Sequence, residues 1–423
     1  MRGNILIKLT VELSRIIVGA TFVFSGFVKA VDPHGSEYKI QDYLISLGLP
    51  QLFPAALGLA VFLCVAELLM GLFLLMGIYR KWTSRSTLIF MAFMTPLTLW
   101  IALKNPVKDC GCFGDAFIIS NWATFYKNIV LLACVILLTL FWRNLKPVFS
   151  AKTMWMAGLF SVLFGFGLAI YNVMNRPVLD FRPYKIGSNI PAKMYIDPSK
   201  ADVFENVFVY EQDGVKKEFT EDNYPWNDST WTFVDMTTKL VKEGEKPEIE
   251  DFDIVKLDKG DGEGENITQT VLADSGYTFL AVSYRIQGVS PKEAGRLKTV
   301  AGYAKQQRYP FYCLTSSSAK EIATWEQKNN SGFVFCHSDE RMLKTMIRSN
   351  PGLVLMKNGT VINKWDSNSL PAEKELRAPL NELRSGQISN ERKNNMRRIA
   401  VIISLFIVPL AAIKWHDRKS TKK

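Results

Sequence analysis

Cys110 and Cys112 stand one residue apart in Asp109-Cys110-Gly111-Cys112-Phe113-Gly114-Asp115, a short polar loop between two long apolar runs. With a single residue between them the two sulfurs close only a small, tight ring, and Gly111 tolerates the backbone angles that such a ring demands. Strained, exposed disulfides have higher reduction potentials, so the spacing suits a disulfide that accepts electrons from a substrate thiol. Two other readings of the spacing stay open. One is a structural turn with a static disulfide or two idle thiols. The other is a metal site, which needs further ligands and has only His34 on a neighbouring loop to suggest one. Asp109 and Asp115 oppose thiolate formation by repulsion, whereas Lys104, Lys108 and Lys127 are placed to offset them. Ser120-Asn121 is a good N-cap pair, and the positive end of the helix it starts also favours a nearby thiolate.

A second chemical candidate is Glu67, in the apolar stretch Val65-Ala66-Glu67-Leu68-Leu69-Met70. An ionisable group at such depth costs several kcal/mol unless it is paired or wet, so Glu67 is expected to face other helices. Arg15, Lys29 and Lys127 are its candidate partners. Its role is open between a buried ion pair that only fixes packing and a proton-handling or quinone-site group.

The elements that must position these residues are membrane helices. A helix needs about 17–25 apolar residues to cross the hydrocarbon core, and six runs qualify, at about 5–30, 54–79, 86–103, 122–142, 153–175 and 399–415. The mean hydropathy of +0.06 blends these runs with one large polar segment, from about 176 to 398. The first run carries Lys8, Glu12 and Arg15 and no small-residue cleavage site, so it is expected to remain as a span rather than to be removed as a signal peptide. Short-loop basic residues set orientation. Arg2 and Lys8, then Arg80, Lys81 and Arg85, then Arg143, Lys146 and Lys152, and finally Lys414, Arg418, Lys419, Lys422 and Lys423 share one side, the expected cytoplasm. Arg392, Lys393, Arg397 and Arg398 fall on the other side, against the trend. Both termini are then inside, and the loop at 31–53, the Cys110 loop and the polar segment face outward, where all three can meet. Basic residues exceed acidic ones, 51 against 40. Topology signals at lipid headgroups account for much of that excess, with no reason to invoke nucleic acid.

Six cysteines in 423 residues are too few for a disulfide scaffold. Cys64 and Cys134 each lie about 12 residues from the outer end of a span, roughly 18 Å at 1.5 Å per residue, and read as packing residues. Cys313 and Cys336 lie in the polar segment, where they are candidates to approach each other and pair. Cys336-His337 has the composition of a nucleophile and base, but neighbours on a strand point to opposite faces.

About residues 5–145 resemble the DoxX-like membrane family, and within it the MauE type. The resemblance rests on Ser25-Gly26-Phe27-Val28-Lys29-Ala30 at the end of the first helix, on Glu67 in the second, and on the Asp-Cys-Gly-Cys-Phe-Gly-Asp loop before the fourth. It implies a four-helix membrane bundle, and the MauE type is associated with making disulfides in an exported partner protein.

In the polar segment, residues 176–270 read as strands and turns, with Gln212-Asp213-Gly214 as one turn and Gly260-Asp261-Gly262-Glu263-Gly264-Glu265 as another. The latter lacks calcium-loop spacing. From about 270 to 385 a βα alternation follows: a buried-type strand at Tyr277 to Tyr284, an amphipathic helix from Pro291 to Gln306, a strand at Pro310 to Thr315, and a helix near 318–328. The run Gly332 to Phe335, a helix near 339–348, and two strands about the hairpin signal Lys357-Asn358-Gly359-Thr360 complete it. That order resembles a thioredoxin-like domain of the membrane-anchored TlpA kind, and the resemblance implies a cis peptide at Asn350-Pro351 in the place of the family's cis-proline. Where such domains carry Cys-x-x-Cys, this chain has Ser283 to Ser290 without a cysteine, so the domain reads as a substrate-binding or docking module.

The fold class expected is thus an α-helical membrane bundle of six spans with a DoxX-like four-helix core, plus an α/β thioredoxin-like soluble domain. The boundaries expected are 1–150 for the four-helix part, 151–176 for a fifth span, 177–270 for a β-rich segment, 271–390 for the thioredoxin-like domain, and 391–423 for the sixth span and basic tail. The function expected is a thiol-disulfide redox or maturation factor of the bacterial inner membrane, with a large periplasmic domain. Cys110 and Cys112 are its catalytic pair, Glu67 handles protons or forms an ion pair, and Pro351 matches the cis-proline. No metal is assigned. Its partners are an exported protein with cysteines and membrane lipid, and its electrons pass to a membrane quinone, inferred from the class of chemistry. The alternative is a non-enzymatic membrane assembly or binding protein with a degenerate recognition domain. A transporter is disfavoured for want of inverted repeats or paired broken helices, although Pro96 and Pro409 interrupt spans.

Overall fold

The computed structural model describes every residue except Met1, Lys108, Glu243, residues 258–263, Lys422 and Lys423. Lys108 beside the cysteine pair, most of the glycine-rich turn at 260–265, and the last two basic residues of the tail therefore lie outside the described residues.

In chain order the elements are α1 (Arg2–Val31), α2 (Pro33–Ser46), α3 (Phe53–Met76), α4 (Arg80–Lys104), α5 (Asn121–Leu140), α6 (Met154–Met174), α7 (Ile190–Met194), β1 (Val203–Gln212), β2 (Val215–Phe219) and β3 (Thr232–Lys242). There follow β4 (Val255–Lys256), β5 (Glu265–Asn266), α8 (Thr268–Ala273), β6 (Tyr277–Val282), α9 (Pro291–Gln306), β7 (Phe311–Thr315), α10 (Ala319–Asn329) and β8 (Val334–His337). The chain closes with α11 (Glu340–Met346), β9 (Gly352–Lys357), β10 (Thr360–Asp366) and α12 (Glu391–Thr421).

Among the described residues, α1, α3, α4, α5, α6 and α12 are long and apolar enough to cross a membrane, and the chain is a multi-pass membrane protein. Exposed Ile89, Phe93, Leu140, Leu163 and Val408 give these helices apolar outer faces, as lipid contact requires. The tightest packing is between α1 and α3. There a methyl group at Gly26 would overlap the backbone of Leu68, so only glycine lets the two helices approach this closely. Val11, Val18, Phe22 and Leu74 of that pair join Leu131, Val135 and Leu138 of α5 in one core. α12 stands apart, with only 6% of its apolar window buried. It is held on α6 by Phe406 against Phe160 and Phe164, with ring centroids 5.9 and 4.9 Å apart, and by Asp417, which accepts from Ser150 and Thr153.

The segment at 31–53, expected as a loop, is largely helical. Asp32 caps α2 by accepting from the Gly35 N–H, and Pro33 occupies the first turn, where no N–H is needed.

The soluble part has two sheets. A seven-stranded sheet runs β10-β9-β6-β7-β8-β4-β5. β6 to β7 and β7 to β8 pair parallel, whereas β9 and β10 are antiparallel. All six residues of β6 are buried, because helices cover both faces. Leu280 and Val282 pack with α8 and α11; Phe279 and Ala281 pack with α9 and α10. Ser290 and Glu293 form a capping box on α9, as Ser318 and Glu321 do on α10. Asn358 and Gly359, both at positive φ (48° and 67°), make the hairpin turn between β9 and β10. The Asn350-Pro351 peptide is cis, as the resemblance implies. The expected approach of Cys313 and Cys336 fails for a reason of register. Cys313 lies opposite Phe335 and Cys336 opposite Leu314, so one thiol enters each face of the sheet, and both are free. In β8 Cys336 is buried while His337 is exposed, the divergence expected of strand neighbours. The second sheet, β2-β1-β3, carries an aromatic face in which Tyr210 meets Phe219 and Phe233 edge-on.

Candidate functional site

The loop between α4 and α5 starts from Asn105, a left-handed residue that ends α4. Asn121 Nδ2 donates to Asn105 Oδ1 at 2.7 Å and to the Val107 carbonyl at 3.1 Å, pinning the first part of the loop to the start of α5. Ser120 is the N-cap of α5 and accepts from the Ala123 N–H. Gly111 adopts φ +65°, a conformation open to glycine at little steric cost, and Gly114 N–H donates back to its carbonyl at 3.0 Å. This turn brings the Cys110 and Cys112 sulfurs to 2.7 Å.

Four elements hold the loop. From α1, Ser25 Oγ lies 2.6 Å from Glu67 Oε2 and 2.7 Å from the Cys112 carbonyl, one hydroxyl proton between two acceptors. Lys29 Nζ donates to both Glu67 oxygens, at 2.7 and 2.9 Å. Lys29 is therefore the partner of Glu67. Arg15, another candidate, pairs with Glu12 at 3.2 Å near the other end of α1, and Lys127 stands 4.4 Å from the centroid of the Phe113 ring. From α2, Lys39 Nζ donates to Asp109 Oδ2 at 2.7 Å, and Tyr43 OH donates to the Cys110 carbonyl at 3.0 Å. From α5, Thr124 Oγ1 lies 3.5 Å from the Cys110 sulfur. The fourth is the segment between α11 and β9. It supplies Arg348, whose Nη2 reaches Asp32 Oδ2 at 2.8 Å and Asp115 Oδ2 at 3.1 Å.

The two thiols are electrostatically unequal. The adjacent Cys112 sulfur stabilises a Cys110 thiolate and brings the Cys110 pKa below the usual thiol range; burial opposes this, and Thr124 and Lys127 assist it. Cys112 is pushed up by the same sharing with Cys110 and by burial, against the pull of Lys127 and Lys29. The first proton leaves the pair easily and the second does not. Asp109, one of the two expected repulsive charges, is matched by Lys39. At Arg348 burial works against the charge, but Asp32 and Asp115 outweigh it and raise the guanidinium pKa. Burial also acts on the two carboxylates. In Asp32 Arg348 overcomes it and the pKa falls, whereas in Asp115 burial wins and the pKa rises.

Below the loop, a small cleft with about 30 Å³ free touches Cys112, Ser25, Glu67 and Lys127 and is walled by Phe22, Phe90, Met91 and Met94. His34 is engaged elsewhere, 2.8 Å from Glu37 Oε2 and 3.3 Å from the Val173 carbonyl, and among the described residues no three metal-ligating side chains gather. Lys104 is exposed. Cys64 and Cys134 fall in separate clusters, with the Cys64 sulfur on the Val61 carbonyl.

Pro351 follows Arg348 by three residues, so the edge of the domain that bears it, at the start of the interior strand β9, faces the cysteine loop. Asn350 joins the cysteine-free segment to that edge, accepting from Ser283 Oγ at 2.9 Å and donating to the Arg285 carbonyl at 2.9 Å. Asp32, Lys39, Tyr43, Asp115, Thr124 and Arg348 were not singled out as loop-holding residues by sequence reasoning. Asp32 before Pro33 is the one local signal that could have found a member of this set, an N-cap ahead of a first-turn proline; no local signal marks Arg348, which acts across 316 residues of chain.

No curated protein and no solved structure matches the chain. Residues 204–243, the β2-β1-β3 sheet, match a family described as Domain of unknown function (DUF8463). Residues 7–142, which hold α1 to α5, the cysteine loop and Glu67, match the family Methylamine utilisation protein MauE, and it is to that membrane family that this part of the chain is similar.

Proposed function

We propose that the protein is a membrane thiol-disulfide maturation factor that forms disulfides in exported proteins through Cys110 and Cys112. The observation that carries this reading is the 2.7 Å approach of two sulfurs with unequal acidity on a loop held by four separate elements. A thiolate of the partner attacks one sulfur of the Cys110-Cys112 disulfide and expels the other. A second partner thiolate then attacks the mixed disulfide, leaving the partner oxidised and both loop cysteines reduced. When Cys112 is the sulfur attacked it no longer carries a proton to share, and Thr124 and Lys127 are left to stabilise the departing Cys110 thiolate. Two electrons and two protons pass from the loop dithiol to a membrane quinone, which becomes a quinol as the loop disulfide re-forms. Phe22, Phe90, Met91 and Met94 wall the space beside Cys112, which with about 30 Å³ free must open to admit a quinone ring. Ser25, poised between Glu67 and the Cys112 carbonyl, supports Glu67 as the group that handles protons.

The large soluble domain is read as thioredoxin-like. Its support is the β7-β6-β9-β10 order with a parallel first pair and an antiparallel returning hairpin. Without Cys-x-x-Cys at Ser283 to Ser290 it is a docking module, and the Arg348 contacts support docking directly over the cysteine loop. The loop and this domain face away from the cytoplasm, into the periplasm of a bacterial cell. Arg80, Arg143 and Lys146 gather at the opposite end of the bundle, where Arg80 donates to the Arg143 carbonyl and Arg15 to that of Lys146, as the rule for cytoplasmic basic loops requires.

Thiol trapping in intact cells tests the reading. Cys110→Ser or Cys112→Ser should capture a mixed disulfide with an exported protein, and a reagent that cannot cross membranes should reach the loop from outside. Thiols that never change state, with both variants fully active, would overturn it in favour of a non-enzymatic assembly role.

A further inference from the structure

Arg392, Lys393, Arg397 and Arg398 run against the charge asymmetry of the rest of the chain, and the redox reading gives them no task. Two of them stand where an apolar groove meets a polar pocket. The groove, about 840 Å³, lies between α6 and α12, with Phe164, Gly167 and Leu168 on one wall and Val401, Ile402 and Leu405 on the other. Phe406 packed on Phe160 and Phe164 brings the two helices together beside it. At its upper end Arg397 and Arg398 line it, and Arg398 Nη1 donates to the Val178 carbonyl at 3.2 Å. Directly above lies the polar pocket, about 340 Å³, which shares Tyr171, Val178, Asn394 and Arg398 with the groove. Both fall within the roughly 300–1,000 Å³ of ordinary ligand sites.

The charges fix the chemistry of the occupant. In the polar pocket Asp180 is taken by Arg182 and Lys364, at 2.7 and 3.1 Å, and Glu391 by Arg398 at 3.6 Å. Arg397 and Lys185 have no carboxylate partner among the described residues. An apolar channel topped by Arg397, which has no carboxylate partner among the described residues, and by Arg398, held to Glu391 only at 3.6 Å, matches one kind of molecule. We propose that the α6–α12 groove binds an anionic phospholipid, an acyl chain lying along Gly167 and Leu405 and the phosphate at Arg397 and Arg398. The lipid fills the space that leaves α12 so little buried. The outward-side arginines then have a binding role rather than a topological one.

Gly167 supplies a clean test, because a Cβ there would have no heavy atom within 4 Å. Gly167→Leu therefore fills the groove without a clash at Cβ. Full-length protein in a mild nonionic detergent, stripped of lipid, is melted with added phosphatidylglycerol, with phosphatidylcholine of the same chains, or with glycerol 3-phosphate. Phosphatidylglycerol should raise Tm saturably, and the other two should not. Arg397→Gln with Arg398→Gln should weaken that response at least about tenfold, and Gly167→Leu should abolish it while leaving the helical circular dichroism intact. Equal stabilisation by phosphatidylcholine, a full effect of glycerol 3-phosphate, or an undiminished phosphatidylglycerol response in Gly167→Leu would each overturn the proposal. None of these readouts involves the cysteines, so the redox reading stands or falls separately.

Discussion

Cys110 and Cys112 are chemically unequal chiefly because they share one site, with Thr124 and Lys127 assisting Cys110. Removing one sulfur should therefore change the other. In the reduced protein, alkylation of Cys110 should rise with pH about a midpoint below the ordinary thiol value of about 8.5, since the thiolate reacts and a lowered pKa moves its appearance to lower pH. In Cys112→Ala the midpoint should move back up, because the principal stabilising contact is gone. A midpoint that stays put would mean that Thr124 and Lys127 suffice without Cys112. The pair itself was legible in the sequence, as two cysteines about a glycine. Its asymmetry was not, because it depends on Thr124 on the first turn of α5 and on a loop geometry that no spacing specifies.

At the scale of elements, the ion pair of Lys29 and Glu67 joins α1 to α3, and Ser25 links the same carboxylate to the cysteine loop. Glu67→Gln alone leaves a buried ammonium without its carboxylate, a loss of about 3–5 kcal/mol. Lys29→Met with Glu67→Leu should recover most of that stability, since apolar replacements of a buried pair are often neutral. Under the proton-handling role the double variant should nevertheless stay inactive in disulfide formation. A stable and fully active double variant would assign the pair to packing alone, and thermal melting beside a thiol-state assay distinguishes the outcomes. The sequence offered Arg15, Lys29 and Lys127 equally, because the choice among them is set by how α1 turns against α3, and that is fixed by the close approach at Gly26. Continuous apolar runs made the six spans readable, and Ser290-Pro291 and Asn358-Gly359 made α9 and the β9–β10 hairpin readable through local chemistry. α2 was missed because Pro33–Ser46 mixes polar and apolar residues without a clear stripe, and its ion pairs to distant segments, such as Asp42 to Arg341 at 3.0 Å, are tertiary. Cys313 and Cys336 looked pairable because strand register, which sends them to opposite faces, lies beyond local pattern.

Across the whole molecule, Arg348 is the rivet between the soluble domain and the membrane bundle. Its planar fork meets Asp32 through Nε and Nη2, at 3.0 and 2.8 Å, and Asp115 through Nη2, a geometry that a lysine ammonium cannot reproduce. Arg348→Lys should therefore keep a positive charge yet loosen the domain, and Arg348→Gln should loosen it further by leaving two buried carboxylates unpaired. Acid should act on the two carboxylates of this joint with opposite signs. Asp115 has a raised pKa in the folded protein because burial outweighs Arg348, so its protonation on acidification favours the closed loop. Asp32 has a depressed pKa. Its contribution is fully present above its ordinary value of about 3.9 and is lost only as pH falls through the lower folded one. Amide hydrogen exchange of residues 109–116 and of 340–350, followed on the full chain from neutral pH downward, should thus show protection of the loop holding or rising first, with protection at the domain edge falling only at lower pH. In Asp115→Asn the first change should vanish while the later loss remains. Loop protection that falls as soon as Asp115 is protonated would show instead that its contact with Arg348 outweighs the cost of burying its charge.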